Sequence, residues 1–523
     1  MMVKKHFGKY ACQFVLGCLI LNPGLFAQQT NTYEDEIFYH VFLRSFYDSN
    51  GDSHGDLKGL QQKLDYLQDL GVTAVLITPL YDSDYYHNYF PNDFEKIDAE
   101  FGSKEDYFNL LSDMHSRGMK LIMDMEIHYV TERHLWYKDS YQNPGSKYSK
   151  YIIYNGPENT QPETIIFDLK GLESYDGTFI KITTTDLFNP DVQAYHHKVF
   201  KYWVDPNQDG NFDDGIDGFR LDHIMDNLDW KNKFTNLLSK FWKPLFEDLG
   251  AVNPDLIFLG EQAEWGYGHE YFEKGDLTHV FAFPLSMAIR EMDAQNIINK
   301  IDSTRLATPA GKEQFVFVEN HDMSRVATEM KSDLPKLKLA AALNLLVKGV
   351  PIIYYGQELG MTGKGGFNAF GQTDGNDIPR REAFEWYKTV EGPGMALWYK
   401  NSGPWWDQTN LKNNDGISLE EQKTDRQSLY NFYKKLINIR KENTALSTGD
   451  IETIHSDPKI VSFIRKNNDQ IILVLINPDD TKNSISLDLA GSEKGVDLLN
   501  MSETDLRNEI VLQPNEIKIL ELN

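Results

Sequence analysis

Cysteine is almost missing from this chain: two residues in 523, Cys12 and Cys18, both close to the N-terminus. A chain so built has no disulfide framework, and no Cys/His cluster offers a zinc site. Positive charge is scarce as well. Lys and Arg number 52 against 78 Asp and Glu, a net charge of −26, and so acidic a surface repels nucleic acid and anionic membranes. No apolar run approaches the roughly 20 residues that span a bilayer; residues 11–21 fall short. No Gly-rich loop follows a strand as a phosphate cradle would. Polar or neutral small molecules are the partners these absences leave.

The N-terminus reads as a targeting segment. Lys4, Lys5 and Lys9 precede the apolar stretch, and Ala27 offers a small residue for cleavage before Gln28. Residues 1–27 are therefore expected to be a signal peptide, and the mature chain a cysteine-free periplasmic or secreted protein. Val15-Leu16-Gly17-Cys18 also resembles a lipobox, so a lipoprotein anchored at Cys18 is the alternative. Aromatic residues make up 13% of the sequence, enough to furnish stacking surfaces for sugar rings.

At 523 residues the chain is too long for one ordinary domain but suits a barrel with an appended module. Apolar strand-like runs fall at residues 37–43, 72–79, 120–127, 216–222, 256–261, 278–283, 315–319 and 351–355, separated mostly by helix-length segments. An amphipathic helix is expected near residues 57–70, ended by Gly71, and another between a Ser103 cap and Gly118. Eight such units predict an α/β fold, a (β/α)8 TIM barrel. The barrel is expected over residues 28–127 and 192–445, with a small inserted domain at 128–191 after the third strand, a stretch too long for a simple loop. Ser428 to Arg440 reads as a helix with Leu429, Phe432, Leu436 and Ile437 on one face. Short strands at 460–465, 470–476, 484–489 and 516–522 then predict a C-terminal antiparallel β-sandwich over 446–523.

Three strand ends carry acids. Asp222 closes Asp214-Gly-Ile-Asp-Gly-Phe-Arg-Leu-Asp222, Glu261 closes Leu256-Ile-Phe-Leu-Gly-Glu261, and Asp322 follows Phe315-Val-Phe-Val-Glu-Asn-His321. Side chains at the C-terminal ends of barrel strands meet in one mouth. Arg220 lies two residues before Asp222 and so on the same face, where it keeps that carboxylate ionised and aimed. Crowded carboxylates cost stability, but glycoside cleavage needs them: one attacks the anomeric carbon and another, protonated, serves the leaving oxygen.

With these motifs stand Tyr86-His87-Asn88-Tyr89-Phe90, then Asp93, and Gly349-Val-Pro-Ile-Ile-Tyr-Tyr-Gly-Gln-Glu358. Together the five resemble the α-amylase family, glycoside hydrolase family 13, across nearly the whole mature chain. The resemblance implies Asp222 as nucleophile, Glu261 as general acid/base and Asp322 as transition-state stabiliser. It also implies substrate contacts from Arg220, His321, Tyr89 and His87.

The departures are as informative. Asp124-Met-Glu-Ile-His128-Tyr129 stands where the family usually ends in Asn-His, so Tyr129 takes the place of a substrate-contacting histidine and is expected to hydrogen-bond the sugar. His128 replaces an asparagine that often binds calcium between barrel and inserted domain. Met225 and Asp226 replace the Lys-His that holds a glucan beyond the cut in starch-cleaving relatives, which points to short substrates. Two loops space oxygens as hard-cation loops do: Asp48, Asn50, Asp52, His54 (through its carbonyl) and Asp56, and more weakly Asp205, Asn207, Asp209 and Asp213. A structural Ca2+ is expected at the first; no organic cofactor is expected. The expected activity is that of a retaining α-glycosidase on α-linked glucose oligosaccharides. A transglycosylase on the same substrates, and a non-catalytic glycan-binding protein on this fold, are the alternatives; the second is expected to have lost one of the acids, and all three are present.

Overall fold

The computed structural model describes residues 33–489 and 492–522. The expectations placed on residues 1–27, with Cys18 and the cut after Ala27, lie outside the described residues. Eight parallel strands close a barrel: β1 (Phe38–Val41), β2 (Ala74–Ile77), β3 (Lys120–Met125), β4 (Gly218–Ile224), β5 (Ile257–Gln262), β6 (His279–Phe281), β7 (Glu313–Val316) and β8 (Val350–Tyr354). Each pairs with its neighbours in the chain, and β8 closes onto β1. The expected run at 315–319 leaves the ladder after Val316, because Glu319 turns to bind Arg325 at 2.9 Å.

Alternate residues of these strands fill the interior. Phe38, Leu76, Ile122, Leu259, Phe281, Phe315 and Ile352 belong to one buried cluster, as expected of a barrel that is packed rather than hollow. The same parity, carried two residues further up β3 and β5, reaches Asp124 and Glu261. The apolar plug thus becomes a charged mouth within one step of each strand.

The helices follow their local signals. Ser103 closes a capping box with Asp106 at the start of the Lys104–Ser116 helix. The single helix expected over 57–70 is two, Leu57–Gln62 and Leu64–Leu70, broken at Lys63. There the ammonium group lies 3.7 Å from the centroid of the Tyr47 ring and 4.3 Å from that of Trp386, a cation–π contact.

After β3 the insertion forms a three-stranded sheet of Tyr129–Thr131, Phe179–Thr184 and Gly171–Glu173, with a short helix Leu135–Ser140. The chain returns to the barrel through the helix Pro190–Val204, capped by Asn189. Beyond the Leu429–Glu442 helix, a six-stranded antiparallel sheet faces a pair of strands, Asn483–Ile485 and Ile510–Leu512. Leu473, Leu475, Ile485, Ile510, Leu512 and Leu520 pack together there. The strand expected at 484–489 is only the short Asn483–Ile485. On the helix, Leu429, Leu436 and Ile437 are buried as expected, with Tyr430 and Tyr433 inside while Phe432 is only half-buried. No described helix is long and apolar enough to cross a membrane.

Candidate active site

The register of three adjacent strands builds the site. Asp124 on β3 stands directly opposite Arg220 on β4, and Arg220 opposite Leu259 on β5. Nη1 of Arg220 reaches the two oxygens of Asp124 at 2.9 and 2.7 Å and Oδ1 of Asp222 at 2.5 Å. Nη2 donates to Oε2 of Glu261 at 2.6 Å. A single buried guanidinium therefore organises three carboxylates, a geometry its planar fork allows and an ammonium would not. The β4–β5 ladder shifts register between Gly260 and Gln262, and this irregularity re-aims Glu261. Gly260 is fixed by packing: a Cβ there would stand 2.2 Å from Cδ2 of Leu277.

His223 follows Asp222 with φ near +50°, a region a histidine visits only at a cost of about 1–3 kcal/mol. That turn brings its backbone N–H to 3.3 Å from Oε2 of Glu261. The imidazole Nε2 lies 3.2 Å from Oδ1 of Asp229.

Across the mouth, the Tyr89 hydroxyl donates to Asp124 at 2.7 Å, and its oxygen lies 2.9 Å from Nε2 of His321. The two rings stack at 5.4 Å. Nε2 of His321 is 3.0 Å from Asp322, whose other oxygen accepts from Nη2 of Arg381 at 2.7 Å. His87 accepts the Tyr89 amide at Nδ1, 3.0 Å away.

Burial raises the carboxyl of Asp222; Arg220 opposes it, and the acids Glu126, Asp124 and Asp322 add to it, leaving the group at about 6. Glu261 is raised by burial, opposed by Arg220 and raised again by Asp222 and Asp322, to about 7. Asp322 differs: burial alone would raise it, but His321, Arg381 and Arg380 outweigh that and hold it well below the usual carboxylate range. Two ionised acids beside one that keeps its proton near neutrality is the division that acid-assisted nucleophilic displacement requires.

A cavity of about 390 Å³ is lined by Asp222, Asp322, His321, Tyr89, His87 and, opposite them, Asp377 and Arg381. Asp374, also on its wall, is buried with no donor on either carboxylate oxygen. Phe167 of the insertion and Phe367 of the loop after β8, 71% and 76% exposed, meet at its rim with ring centroids 6.3 Å apart. A larger cavity, about 780 Å³, lies near Glu313, Lys348 and Asp450, at the other end of the barrel, away from these acids.

The expected residues Asp222, Glu261, Asp322, Arg220, Tyr89, His321 and His87 thus come together. Tyr129 does not reach the cavity wall: it is buried, and its hydroxyl donates to Asp229 at 2.5 Å. Met225 is buried too, its sulfur accepting the Asp229 amide at 2.9 Å. In the first acidic loop, Asp48 accepts from the amides of Asn50, Gly51 and Ser53, Asn50 from Asp52, and Asp52 from His54. Asp56 caps the Leu57–Gln62 helix through the Gly59 amide. In the second, Asp205, Asn207 and Asp209 accept loop amides in the same way, and the Asp213 carbonyl meets Nδ1 of His115 at 2.8 Å. Among the described residues no three Asp, Glu, His or Cys side chains converge as a metal-binding group. Sequence reasoning missed Arg381, Asp374, Phe167 and Phe367. Only Phe367, alone in the polar run Lys364-Gly-Gly-Phe-Asn368, gave a signal that could have been followed.

A closed (β/α)8 barrel with three acids and an arginine converging at its strand ends defines a glycoside hydrolase. The chain belongs to the α-amylase family: the pattern described as Alpha amylase, catalytic domain, matches residues 40–449. It is 32% identical over 502 residues to Alpha-amylase 3 of Dictyoglomus thermophilum, covering 94% of each chain. It is 29% identical to a probable oligo-1,6-glucosidase 3 of Bacillus subtilis, over 85% of this chain and 90% of that one. Among solved structures, an α-amylase from H. orenii superposes with a TM-score of 0.76 at 26% identity, covering 93% of this chain and 99% of the other.

Proposed function

We propose that this protein is a retaining α-glycosidase that hydrolyses α-glucosidic bonds in maltooligosaccharides or related α-glucans. The observation that carries the reading is the shared guanidinium: Asp222 and Glu261 sit on the two terminal nitrogens of Arg220. Carboxyls so joined are neighbours, the arrangement of a nucleophile and an acid/base rather than of two acids parted by a water. Asp222 bonds to the anomeric carbon while Glu261 protonates the departing oxygen. Glu261 then takes a proton from water, whose oxygen displaces Asp222. Asp322, Arg381 and His321 hold charge and hydroxyl groups at the ring. NMR of fresh product should show the α-anomer before mutarotation; an initial β-anomer would overturn the reading. Chromatography of the same digest should show shortened sugars, whereas products longer than the substrate would favour the transglycosylase.

Export follows, in this reading, from the leader-like residues 1–27. A calcium ion at the first acidic loop is also part of it, held by Asp48, Asn50, Asp52, the His54 carbonyl and Asp56. Its support is an all-oxygen donor set on a tight loop. A chelator should lower the Tm by a few degrees through mass action without changing cleavage specificity, and Asp52→Ala should remove that effect. Superposable melting curves would count against the ion.

A further inference from the structure

The insertion after β3 carries a cavity that the mechanism leaves unused, and strand alternation makes it. Along Phe179–Thr184, Ile180 and Ile182 turn inward, into one buried cluster with Tyr85, Tyr129 and Ile165. Phe179 and Lys181 point the other way, and Phe179 is 54% exposed. On this outer side lies a hollow of about 490 Å³, within the usual range of small-molecule sites.

Tyr137 and Tyr141 form one wall of the hollow, their rings stacked at 5.2 Å and 11°. Residues 160–164 form another, and the next three, Ile165 to Phe167, line the catalytic cavity. One run of chain thus has a cavity on either side of it, and the two share no lining residue. The loop after β4 fixes this run in place. Lys231 donates to the carbonyls of Thr164 and Ile165 at 2.7 and 3.0 Å. Glu163 accepts from the Asn155 amide at 2.9 Å and pairs with Lys231 and Lys233. Lys233 also donates to the Asn155 side-chain oxygen at 2.5 Å. The wall is therefore set before a ligand arrives, and no ordering is needed on binding.

Charge and shape decide the ligand. Among the described residues that line the hollow, Glu163 is the one acid, and two lysines neutralise it. Lys181 is paired too, with Glu132 at 3.5 Å. Thr160, Gln161 and Lys170 stand exposed on the lip, where they offer a hydroxyl, an amide and an ammonium group. An exposed ring beside such groups suits a pyranose, which has an apolar C–H face and a rim of hydroxyls. A single acid already engaged by lysines cannot supply both nucleophile and proton donor, so a sugar held here is not cut.

We propose, resting on the glycosidase reading, that the outer face of the insertion is a second, non-catalytic carbohydrate site. It takes an α-linked gluco-oligosaccharide, with one sugar ring on Phe179 and hydroxyls on Gln161, Thr160 and Lys170. Because residues 160–167 join the two cavities, a substrate caught on the outer face stays near the mouth at a raised effective concentration.

The test uses the full chain carrying Glu261→Gln, so that substrate persists, titrated with maltoheptaose and separately with isomaltoheptaose. Calorimetry should show two classes of site for at least one of these sugars. Adding Phe179→Ala should weaken one class about tenfold and leave the other unchanged; Gln161→Ala should weaken the same class less. Phe179 is exposed, so its replacement should leave the Tm almost where it was. In an otherwise wild-type chain, Phe179→Ala should keep kcat and KM for an aryl α-glucoside, which is too short to reach both cavities, within about twofold. A single class of site for both sugars, untouched by Phe179→Ala, would overturn the proposal. So would a variant that loses both classes together, or its turnover of the aryl glucoside, because Phe179 would then serve the catalytic cavity. A wild type inert on every α-glucoside that still binds sugar through Phe179 would sink the glycosidase reading and leave the second site standing.

Discussion

Two sets of buried arginine lie at opposite ends of the barrel, and their partners differ in kind. At the mouth, Arg220 donates to three carboxylates, Asp124, Asp222 and Glu261. At the base, Arg440 donates to the carbonyls of Leu345, Glu34 and Gly349, and Arg465 to those of Leu346 and Gly449. Burial alone would lower Arg220, yet Asp124, Glu261 and Asp222 hold it well above the usual value. Burial and the neighbouring Arg465 pull Arg440 down to about 9. Carbonyls return no net charge, so the basal pair ties strand starts, helix ends and the C-terminal sheet together. The carboxylates at the mouth keep reactive oxygens beside a cavity; Asp222 retains 18% of its side-chain surface. The same buried cation serves as a tie where its partners are neutral and as an organiser of chemistry where they are ionised.

Substitutions should separate the two ends. The largest effect belongs to the mouth: Asp222→Asn or Glu261→Gln should lower kcat by on the order of 10³-fold or more, with the Tm nearly unchanged. Near-normal turnover in either purified variant would remove it from the mechanism. At the base, Arg440→Leu leaves several buried carbonyls without donors and should cost about 3 kcal/mol. Its Tm should fall by several degrees while kcat at 25 °C stays within about twofold of wild type. A large loss of activity without a loss of Tm would erase the distinction between the ends.

Acidity sharpens it further. The nucleophile must be ionised, so kcat/KM should fall about tenfold per unit as pH drops below about 6. The acid must be protonated, so the rate should fall again as pH rises past about 7. These limbs belong to the cluster around Arg220 as a whole. With an aryl α-glucoside whose leaving group needs no proton, Glu261→Gln should lose the alkaline limb. An alkaline limb that persists in this variant would assign it to another group.

What the sequence made legible follows from the range of each interaction. Strand runs and their terminal acids are local, and period-two alternation carries Ile122 to Asp124 and Leu259 to Glu261 without knowledge of any partner. The Arg220–Asp124 pairing needs the β3–β4 register, which a single strand does not specify. Tyr129 sits in the substrate-contacting position of the motif, but the turn after β4 brings Asp229 to its hydroxyl, a contact 100 residues apart. The Lys63 break likewise depends on Trp386, far along the chain.

The smallest expected effect concerns how much sugar the mouth accepts. The Thr373 hydroxyl donates to the Glu173 carbonyl at 2.9 Å, and the Glu173 amide to the Gln372 carbonyl at 3.4 Å. The insertion is thereby fastened to the loop after β8. Phe167 and Phe367 cap that junction, so one side of the cleft ends in a wall, and the cavity behind it is near the small end of ligand pockets. A polymer needs an open path on both sides of the cut; a chain end needs one. Turnover of di- to hexasaccharides should therefore exceed that of soluble starch in kcat/KM, with small products present from the start. Phe167→Ala removes one exposed ring and should raise KM for short substrates by about two- to fivefold, the worth of one stacking contact, with kcat unchanged. If starch loses its iodine colour before reducing sugar accumulates, the enzyme cuts internally, and the wall formed by Phe167, Phe367 and Thr373 does not limit what enters.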